Sequence, residues 1–197
     1  VTPLAVTITA PTTASLTYNG QVQTQGAATS SPAILTNDLV TVSGAASGKN
    51  VGVYVSNLAV SGVDVSNYTF NFVNKNITIT PYIVVPGATT GPKLVAAANN
   101  KVYDTSTVAT GSLAMTDLFQ GDSVAANYAS AAFASPNVNA LSSPQTVTFS
   151  GVTLSGAAAA NYSIGSGAIT ATANITPAPV TISGLAAQNK MYTSTNP

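Results

Sequence analysis

Hydrophobic and polar residues alternate in short runs along most of the chain. The runs at residues 6–9, 68–72 and 146–150 each place an apolar side chain at every second position. A period of two is typical of a strand with one face buried. Turn signals rich in glycine, proline, asparagine and aspartate separate the runs at intervals of about 8–12 residues, as in a β-sandwich. The pattern therefore predicts an all-β fold of antiparallel, sandwich-like modules.

One combination of two runs occurs twice. It is an Asn-Tyr run followed by a run that ends in Thr-Pro, at residues 67–81 and again at residues 161–177. A short polar segment separates the two runs in each copy, which indicates a turn and predicts a hairpin. We interpret this hairpin as the closing element of a repeated β module.

The beginning of the chain is repeated near its end. Residues 2–9 read Thr-Pro-Leu-Ala-Val-Thr-Ile-Thr, and residues 176–183 read Thr-Pro-Ala-Pro-Val-Thr-Ile-Ser. In both places a tyrosine, Tyr18 or Tyr192, follows twelve residues after the valine. We therefore expect the last residues to open a further copy, as in a segment of a longer tandem array.

These repeats divide the chain into predicted units. The boundaries are 1–82 for a first module, 83–177 for a second, and 178–197 for a junction and the opening of a third repeat. Each module offers about six or seven short strands. Because proline fixes its own φ and restricts the preceding residue, the Thr-Pro junctions predict a semi-rigid, elongated array.

Composition narrows the range of partners. Only 5% of the residues are charged, arginine, glutamate, histidine and cysteine are absent, and the formal net charge is zero. Such a surface cannot neutralise many phosphates, which argues against nucleic acid, and it lacks the basic runs that anionic membranes attract. No run reaches the roughly 18 apolar residues of a membrane-spanning helix, so we expect no membrane insertion in this segment.

The chain also lacks the groups that most enzymes use. Without histidine or cysteine, proton exchange and nucleophilic attack have few candidates. No Gly-x-Ser-x-Gly elbow occurs, and Gly165-Ser166-Gly167 has the composition of a turn. We predict that the protein is not an enzyme, with no catalytic, cofactor-binding or metal-binding residues and no cofactor.

Aspartates provide the one alternative to this prediction, a calcium site. Asp117 and Asp122 flank a predicted turn, and Asp104 lies elsewhere in the second module. No Asp-x-Asp-x-Asp series is present, and aspartate is common in turns because its side chain bonds the local backbone. Solvated turn residues are therefore the favoured interpretation.

Two sets of residues are candidates for covalent modification. Lysines near the starts of the units are candidates for an isopeptide cross-link to asparagine, promoted by aspartate because glutamate is absent; they are Lys93, Lys101 and Lys190. Four Asn-x-Ser/Thr sequons could accept glycans; they are Asn67, Asn76, Asn161 and Asn174. All four sequons fall in the repeated closing element, so recurrence of the fold unit is the favoured explanation.

Tyrosine occupies one repeat position three times, at Tyr18, Tyr103 and Tyr192. An exposed ring at this position could stack on carbohydrate, whereas a buried ring would pack near a strand end with its hydroxyl hydrogen-bonded. We favour packing.

Several motifs resemble known families. In the second module, residues 100–107 (Asn-Lys-Val-Tyr-Asp-Thr-Ser-Thr), 151–156 (Gly-Val-Thr-Leu-Ser-Gly) and the Asn-Tyr and Ile-Thr-Pro motifs resemble the YDG repeat of large bacterial surface and filamentous-haemagglutinin-like proteins. Thr105 stands where that family has glycine. The first module, with Thr17-Tyr18-Asn19-Gly20, is similar to the related MBG module.

The resemblance implies a function and a location. It implies a secreted, repetitive adhesin at the bacterial cell surface, in which these modules form a stalk that supports cell adhesion or biofilm formation. Receptors or extracellular polysaccharide would then be bound by other parts of the protein. The alternatives are a polysaccharide-binding module and a self-associating filament subunit, joined by strand addition at the open third repeat.

Overall fold

The computed structural model describes residues 1–13 and 15–192. Strands dominate it, and helical structure within the described residues is limited to two three-residue 3-10 turns, Val65–Asn67 and Ala159–Asn161. The prediction of an all-β fold is confirmed. None of the helical turns in this part of the chain has the length or apolar character needed to span a membrane.

Ten strands lie in the described part of residues 1–81, which we call the N-terminal half. In chain order they are β1 (Leu4–Thr9), β2 (Leu16–Thr17), β3 (Gln23–Thr24), β4 (Thr29–Ser31), β5 (Thr41–Ser43), β6 (Ser47–Gly48), β7 (Gly52–Val55), β8 (Ala59–Ser61), β9 (Tyr68–Val73) and β10 (Asn76–Thr80).

Eleven strands follow in residues 82–177, the C-terminal half. They are β11 (Tyr82–Val84), β12 (Lys93–Ala98), β13 (Lys101–Val102), β14 (Gly111–Thr116), β15 (Ala125–Asn127), β16 (Ser130–Phe133), β17 (Gln145–Ser150), β18 (Thr153–Ser155), β19 (Tyr162–Ile164), β20 (Ile169–Ala173) and β21 (Ile175–Thr176).

The first and last segments of each half run side by side in the same direction. β1 is parallel to β9, with Leu4 opposite Tyr68, and β2 is parallel to β10, with Leu16 opposite Ile79. β11 with β19 and β13 with β21 repeat the arrangement in the C-terminal half. Because parallel neighbours share a direction, the chain enters each half at one end and leaves it at the other.

The remaining strand pairs of the described residues are antiparallel, as the sequence predicts, and the four parallel pairs are the exception to that prediction. Three sheets have three strands, in the orders β4-β1-β9, β2-β10-β7 and β16-β17-β20, and the other sheets of the described residues have two. The pair β5–β8 in the N-terminal half matches β15–β18 in the C-terminal half, and each pair directly precedes a 3-10 turn.

The predicted closing hairpin does not form. β9 and β10 lie in different sheets, as do β19 and the strands that follow it. Between β9 and β10, the side-chain oxygen of Asn74 accepts hydrogen bonds from Ser56 Oγ at 3.2 Å and from the Leu58 amide at 2.9 Å. Because of these bonds to a distant segment, the polar residues after β9 form a corner between two sheets. Their composition alone fits a hairpin turn equally well, which is why the sequence predicts one.

Two clusters of buried side chains form the core of the described part of the chain. The smaller one lies within the N-terminal half and consists of Val6, Ile8, Ala10, Leu58 and Tyr68. The larger one includes Phe133, Val147 and Phe149 of the C-terminal half together with Tyr18 and Ile79 of the N-terminal half. The two halves therefore share a continuous apolar contact.

The structure describes residues 178–192 of the segment that is predicted to open a third repeat. Residues 178–192 form no strand and are exposed, and Tyr192 retains 92% of its accessible surface. Residues 193–197, the last part of that prediction, lie outside the described residues, as does Ala14.

Candidate functional site

A tyrosine and an aspartate meet in the same way in both halves. In the N-terminal half, the hydroxyl of Tyr68 donates to Asp38 Oδ2 at 2.7 Å and accepts from the Leu35 amide at 3.1 Å. The Asp38 amide in turn donates to the Leu35 carbonyl at 3.0 Å, which closes a tight turn. We call these three residues the N-terminal Tyr–Asp site.

The C-terminal Tyr–Asp site consists of Phe119, Asp122 and Tyr162. The Tyr162 hydroxyl donates to Asp122 and accepts from the Phe119 amide at 3.3 Å. The Asp122 amide donates to the Phe119 carbonyl at 3.0 Å, as in the other half. In both halves a 3-10 turn directly precedes the tyrosine and so sets its position at the start of a strand.

Tyr18 of the N-terminal half completes the C-terminal site. Its hydroxyl lies 2.9 Å from Asp122 Oδ1 and 2.8 Å from Oδ2, so its single proton is shared between the two oxygens of the carboxylate. The Tyr18 ring meets the rings of Phe119 and Tyr162 edge-on, each at a centroid distance of 5.6 Å. Only 1% of Tyr18 is exposed, which confirms packing as its role.

Tyr82 extends the aromatic cluster at the start of β11. Its ring centroid lies 5.4 Å from that of Phe119 and 6.2 Å from that of Tyr162, both in edge-on geometry. Aromatic pairs of this kind contribute about 0.5–1.5 kcal/mol each beyond the area they bury. The cluster therefore adds a specific, directional contact where the two halves meet.

A second polar contact crosses between the halves at Asn161. Its side-chain oxygen accepts from the Val51 amide at 2.9 Å, and its nitrogen donates to Asn50 Oδ1 at 3.1 Å. Asn161 is 6% exposed, so both ends of its amide are bonded in a nearly dry environment. Leaving such a group without its partners would cost about 1–3 kcal/mol, which ties the orientation of one half to the other.

Burial and the nearby carboxylates shift the ionisation of the tyrosines. Burial, together with the hydrogen bond to Asp122, raises the pKa of Tyr18 to about 12. The same two causes raise the pKa of Tyr162. In the N-terminal site the hydrogen bond to Asp38 raises the pKa of Tyr68. All three hydroxyls thus stay protonated and act as donors over the physiological pH range.

The three aspartates considered for calcium serve separate contacts. Asp122 accepts from tyrosines, Asp117 forms an ion pair with Lys93 at 2.6 Å, and Asp104 pairs with Lys101 at 2.7 Å. The hydrogen bond from Lys101 lowers the pKa of Asp104 to about 2. Among the described residues, no three acidic side chains are close enough together to hold a metal ion.

Two of the lysines considered for an isopeptide bond form ion pairs, Lys93 with Asp117 and Lys101 with Asp104. Besides Asp104, Lys101 Nζ donates to the carbonyls of Ser106 at 2.7 Å and Val108 at 3.1 Å. Lys190 lies in the exposed segment after β21. The contacts of Lys101 organise the loop after β13.

The four sequons fall into two environments. Asn161 is buried between the halves, and Asn174 Oδ1 accepts a hydrogen bond from the Asn139 side chain at 2.6 Å. Asn67 and Asn76 are exposed. Asn67 and Asn161 each end a 3-10 turn, and Asn76 and Asn174 lie at or directly before the last strand of their half, which supports the explanation by recurrence.

Thr105 adopts a backbone conformation that favours glycine. Its φ is 69°, in the left-handed region where a side chain, especially a β-branched one, meets steric strain. Thr105 follows the Tyr-Asp pair after β13, at the position where the resemblance predicts glycine. The backbone geometry thus gives a physical reason for glycine there.

Comparison with known families assigns part of the chain. Residues 86–172 match the YDG domain family, which supports a YDG-type domain in the C-terminal half. The curated proteins contain no match to the chain. The solved structures contain none either.

Proposed function

We propose that this segment is a structural stalk or spacer of a secreted bacterial cell-surface adhesin or fibre, supporting cell adhesion or biofilm formation. The YDG match agrees with the resemblance to repeats of bacterial surface proteins. In this role the two halves are tandem modules, MBG-like over 1–82 and YDG-like over 83–177, and receptor binding belongs to other parts of the protein.

The parallel pairing of first and last segments is the observation that carries the proposal. In the N-terminal half β1 and β2 run beside β9 and β10, and in the C-terminal half β11 and β13 run beside β19 and β21. Entry and exit at opposite ends let each unit add its length to the next. A spacer needs this geometry, whereas termini at the same end would fold an array back on itself.

The contact between the halves supports a stiff junction. Tyr18 reaches Asp122 over a sequence separation of 104 residues, and Asn161 is bonded to the backbone of the other half. Interfaces between domains allow relative motion by default unless they are large and apolar. Here buried aromatic rings and satisfied polar groups oppose that motion.

Distance measurements between the halves test the stalk. The absence of cysteine allows a pair of spin labels at Val63→Cys and Leu141→Cys, where the native side chains are 79% and 72% exposed. We expect one narrow distance distribution, which Tyr18→Ala broadens. Tyr103→Ala, at the same repeat position but outside this junction, is the matched control and leaves the distribution narrow. A distribution in the native background as broad as that of Tyr18→Ala would contradict a stiff spacer.

A polysaccharide-binding module is the alternative function. The Tyr103 ring favours it, because 38% of this aromatic residue is exposed on a neutral, asparagine- and threonine-rich surface. A glycan array distinguishes the two functions. Absence of binding to every glycan on the array supports the spacer. Binding that is abolished by Tyr103→Ala supports the polysaccharide-binding module.

A further inference from the structure

Tyr103 is placed in the C-terminal half as Tyr18 is placed in the N-terminal half. The Tyr18 amide donates to the Thr80 carbonyl at 2.9 Å, and the Tyr103 amide donates to the Thr176 carbonyl at 2.9 Å. Each of these threonines precedes the proline that ends its half. Tyr18 is 1% exposed because it enters the C-terminal Tyr–Asp site, whereas Tyr103 is 38% exposed.

The contact to Asn161 also has an unused counterpart. In the N-terminal half, Asn50 and Val51 make the contact to Asn161. They directly precede Gly52, and Gly52 lies opposite Ile79 of β10. In the C-terminal half, Asn137-Val138 stands directly before Asn139, whose amide donates to the Ile175 carbonyl of β21 at 3.2 Å. Asn137 and Val138 are both exposed. We call Tyr103 and Asn137-Val138 the free edge.

The opposite end of the molecule carries the complementary feature. A cavity of about 380 Å³ is lined by Leu4, Leu35, Asp38, Asn67 and Tyr68, together with the N-terminal residues 1–3. These side chains correspond to Tyr82, Phe119, Asp122, Asn161 and Tyr162 in the C-terminal half. Yet Asn67 is exposed where Asn161 is buried, and Leu35 is 61% exposed.

The N-terminal Tyr–Asp site also has capacity for one more donor. Among the described residues, Asp38 accepts one tyrosine hydroxyl, from Tyr68, whereas Asp122 accepts two, from Tyr162 and Tyr18. A carboxylate has about four acceptor positions, so a second hydroxyl can bond Asp38 without displacing the first. A tyrosine hydroxyl with an Asn-Val backbone beside it therefore fits this site.

We propose that the N-terminal Tyr–Asp site binds the free edge of a second copy of this chain. The Tyr103 hydroxyl of one copy would donate a hydrogen bond to Asp38 of the next copy, and Asn137 and Val138 would hydrogen-bond Asn67. These bonds would repeat between molecules the contact that Tyr18, Asn50 and Val51 make between the halves. The two surfaces differ, so the contact is head-to-tail, and each copy in a pair keeps one surface for a further copy. The zero net charge adds no long-range repulsion between copies.

Two variants of the full chain separate the two surfaces. Tyr103→Ala removes the free edge and keeps the site, and Leu35→Lys blocks the site and keeps the edge. Both side chains are already exposed to water, so neither variant is expected to unfold the protein. Two domains joined by a short linker meet at an effective concentration of the order of mM. The two variants are separate chains, so the unlabelled partner is added up to about 1 mM to reach a comparable concentration.

The readout is the amide spectrum of isotope-labelled Tyr103→Ala as unlabelled Leu35→Lys is added. We expect saturable shifts at Asp38, Asn67 and Tyr68, and none when the added chain carries both substitutions. No shift at about 1 mM partner would overturn the proposal. So would equal shifts with the doubly substituted chain, which would indicate strand addition by residues 178–192. Either failure leaves the junction between the halves untouched, so the stalk is tested separately.

Discussion

At the scale of single residues, equivalent positions differ in what surrounds them. Tyr18 and Tyr103 share a repeat position and a backbone hydrogen bond, but one is buried and the other is 38% exposed. The sequence predicts packing at this repeat position, which is confirmed for Tyr18 and is wrong for the exposed Tyr103 and Tyr192. It does not predict Asp122 as the partner of Tyr18, because local composition carries no information on a contact across 104 residues.

Thr105→Gly is expected to stabilise the fold. A left-handed backbone costs a residue with a side chain about 1–2 kcal/mol, and the greater flexibility of glycine in the unfolded chain offsets part of that gain. At a φ of 69° we expect the free energy of unfolding to rise by roughly 1 kcal/mol in a denaturant titration followed by circular dichroism.

Thr107→Gly is the matched control for this substitution. Thr107 is not among the described residues with positive φ, so glycine there brings only its entropic cost, about 0.5–1 kcal/mol of lost stability. Equal effects of the two substitutions would show that the conformation of Thr105 does not strain the fold.

At the scale of elements, the sequence predicts strands better than it predicts their partners. Alternation located β1, β9 and β17, because burial of one face imposes a period of two on the residues themselves. The hairpin between β9 and β10 was wrong because pairing depends on side chains of other segments. Asn74 bonds Ser56 and Leu58, and no local pattern reveals that choice.

Gly62 marks a point where two segments approach too closely for a side chain. It follows β8 with a φ of 133°, and a Cβ there would overlap the carbonyl oxygen of Leu39. Overpacking costs about 1–3 kcal/mol and the backbone conformation adds more, so Gly62→Ala should lower the free energy of unfolding by about 3 kcal/mol.

Gly87→Ala separates the two causes of that loss. Gly87 has a φ of 80°, but a Cβ at this residue would meet no heavy atom of a distant segment within 4 Å, so its substitution reports backbone strain alone, about 1 kcal/mol. Thermal or denaturant unfolding of both variants provides the comparison. A loss for Gly62→Ala no larger than that for Gly87→Ala would contradict the close approach to Leu39.

At the scale of the whole molecule, the sequence predicts a repeat but not how its copies touch. The Thr-Pro spacing and the returning tyrosine predict two units and the start of a third. The shared core, in which Tyr18 and Ile79 join residues of the C-terminal half, emerges only in three dimensions. The candidate site lies at this shared core, and motif searches directed at catalysis or metal binding do not detect it.

The free energy of unfolding should decrease in alkaline solution because both Tyr–Asp sites bind protonated tyrosines. The pKa of Tyr18 is raised from 10.0 to about 12, and those of Tyr162 and Tyr68 are raised as well. The folded protein therefore keeps protons that the unfolded chain releases, so the free energy of unfolding decreases as the pH rises from about 10 to 12. Below pH 10 the tyrosine contribution is fully present.

Tyr18→Phe should flatten this dependence while lowering stability at neutral pH by about 1–2 kcal/mol, because the ring stays and the hydrogen bond is lost. Tyr103→Phe, at the same repeat position but on an exposed ring, is the control and should keep the native stability at neutral pH. Denaturant titrations monitored by circular dichroism between neutral and alkaline pH measure both. Parallel curves for Tyr18→Phe and the native protein would exclude Tyr18 as a source of the effect.

The side-by-side, same-direction course of β1 with β9 has a consequence for a chain under load. A pull on the start of a half and on its end drags these neighbouring strands past each other lengthwise. Their hydrogen bonds are then sheared together, instead of being unzipped one after another. Each half is thus arranged to withstand traction along its own axis.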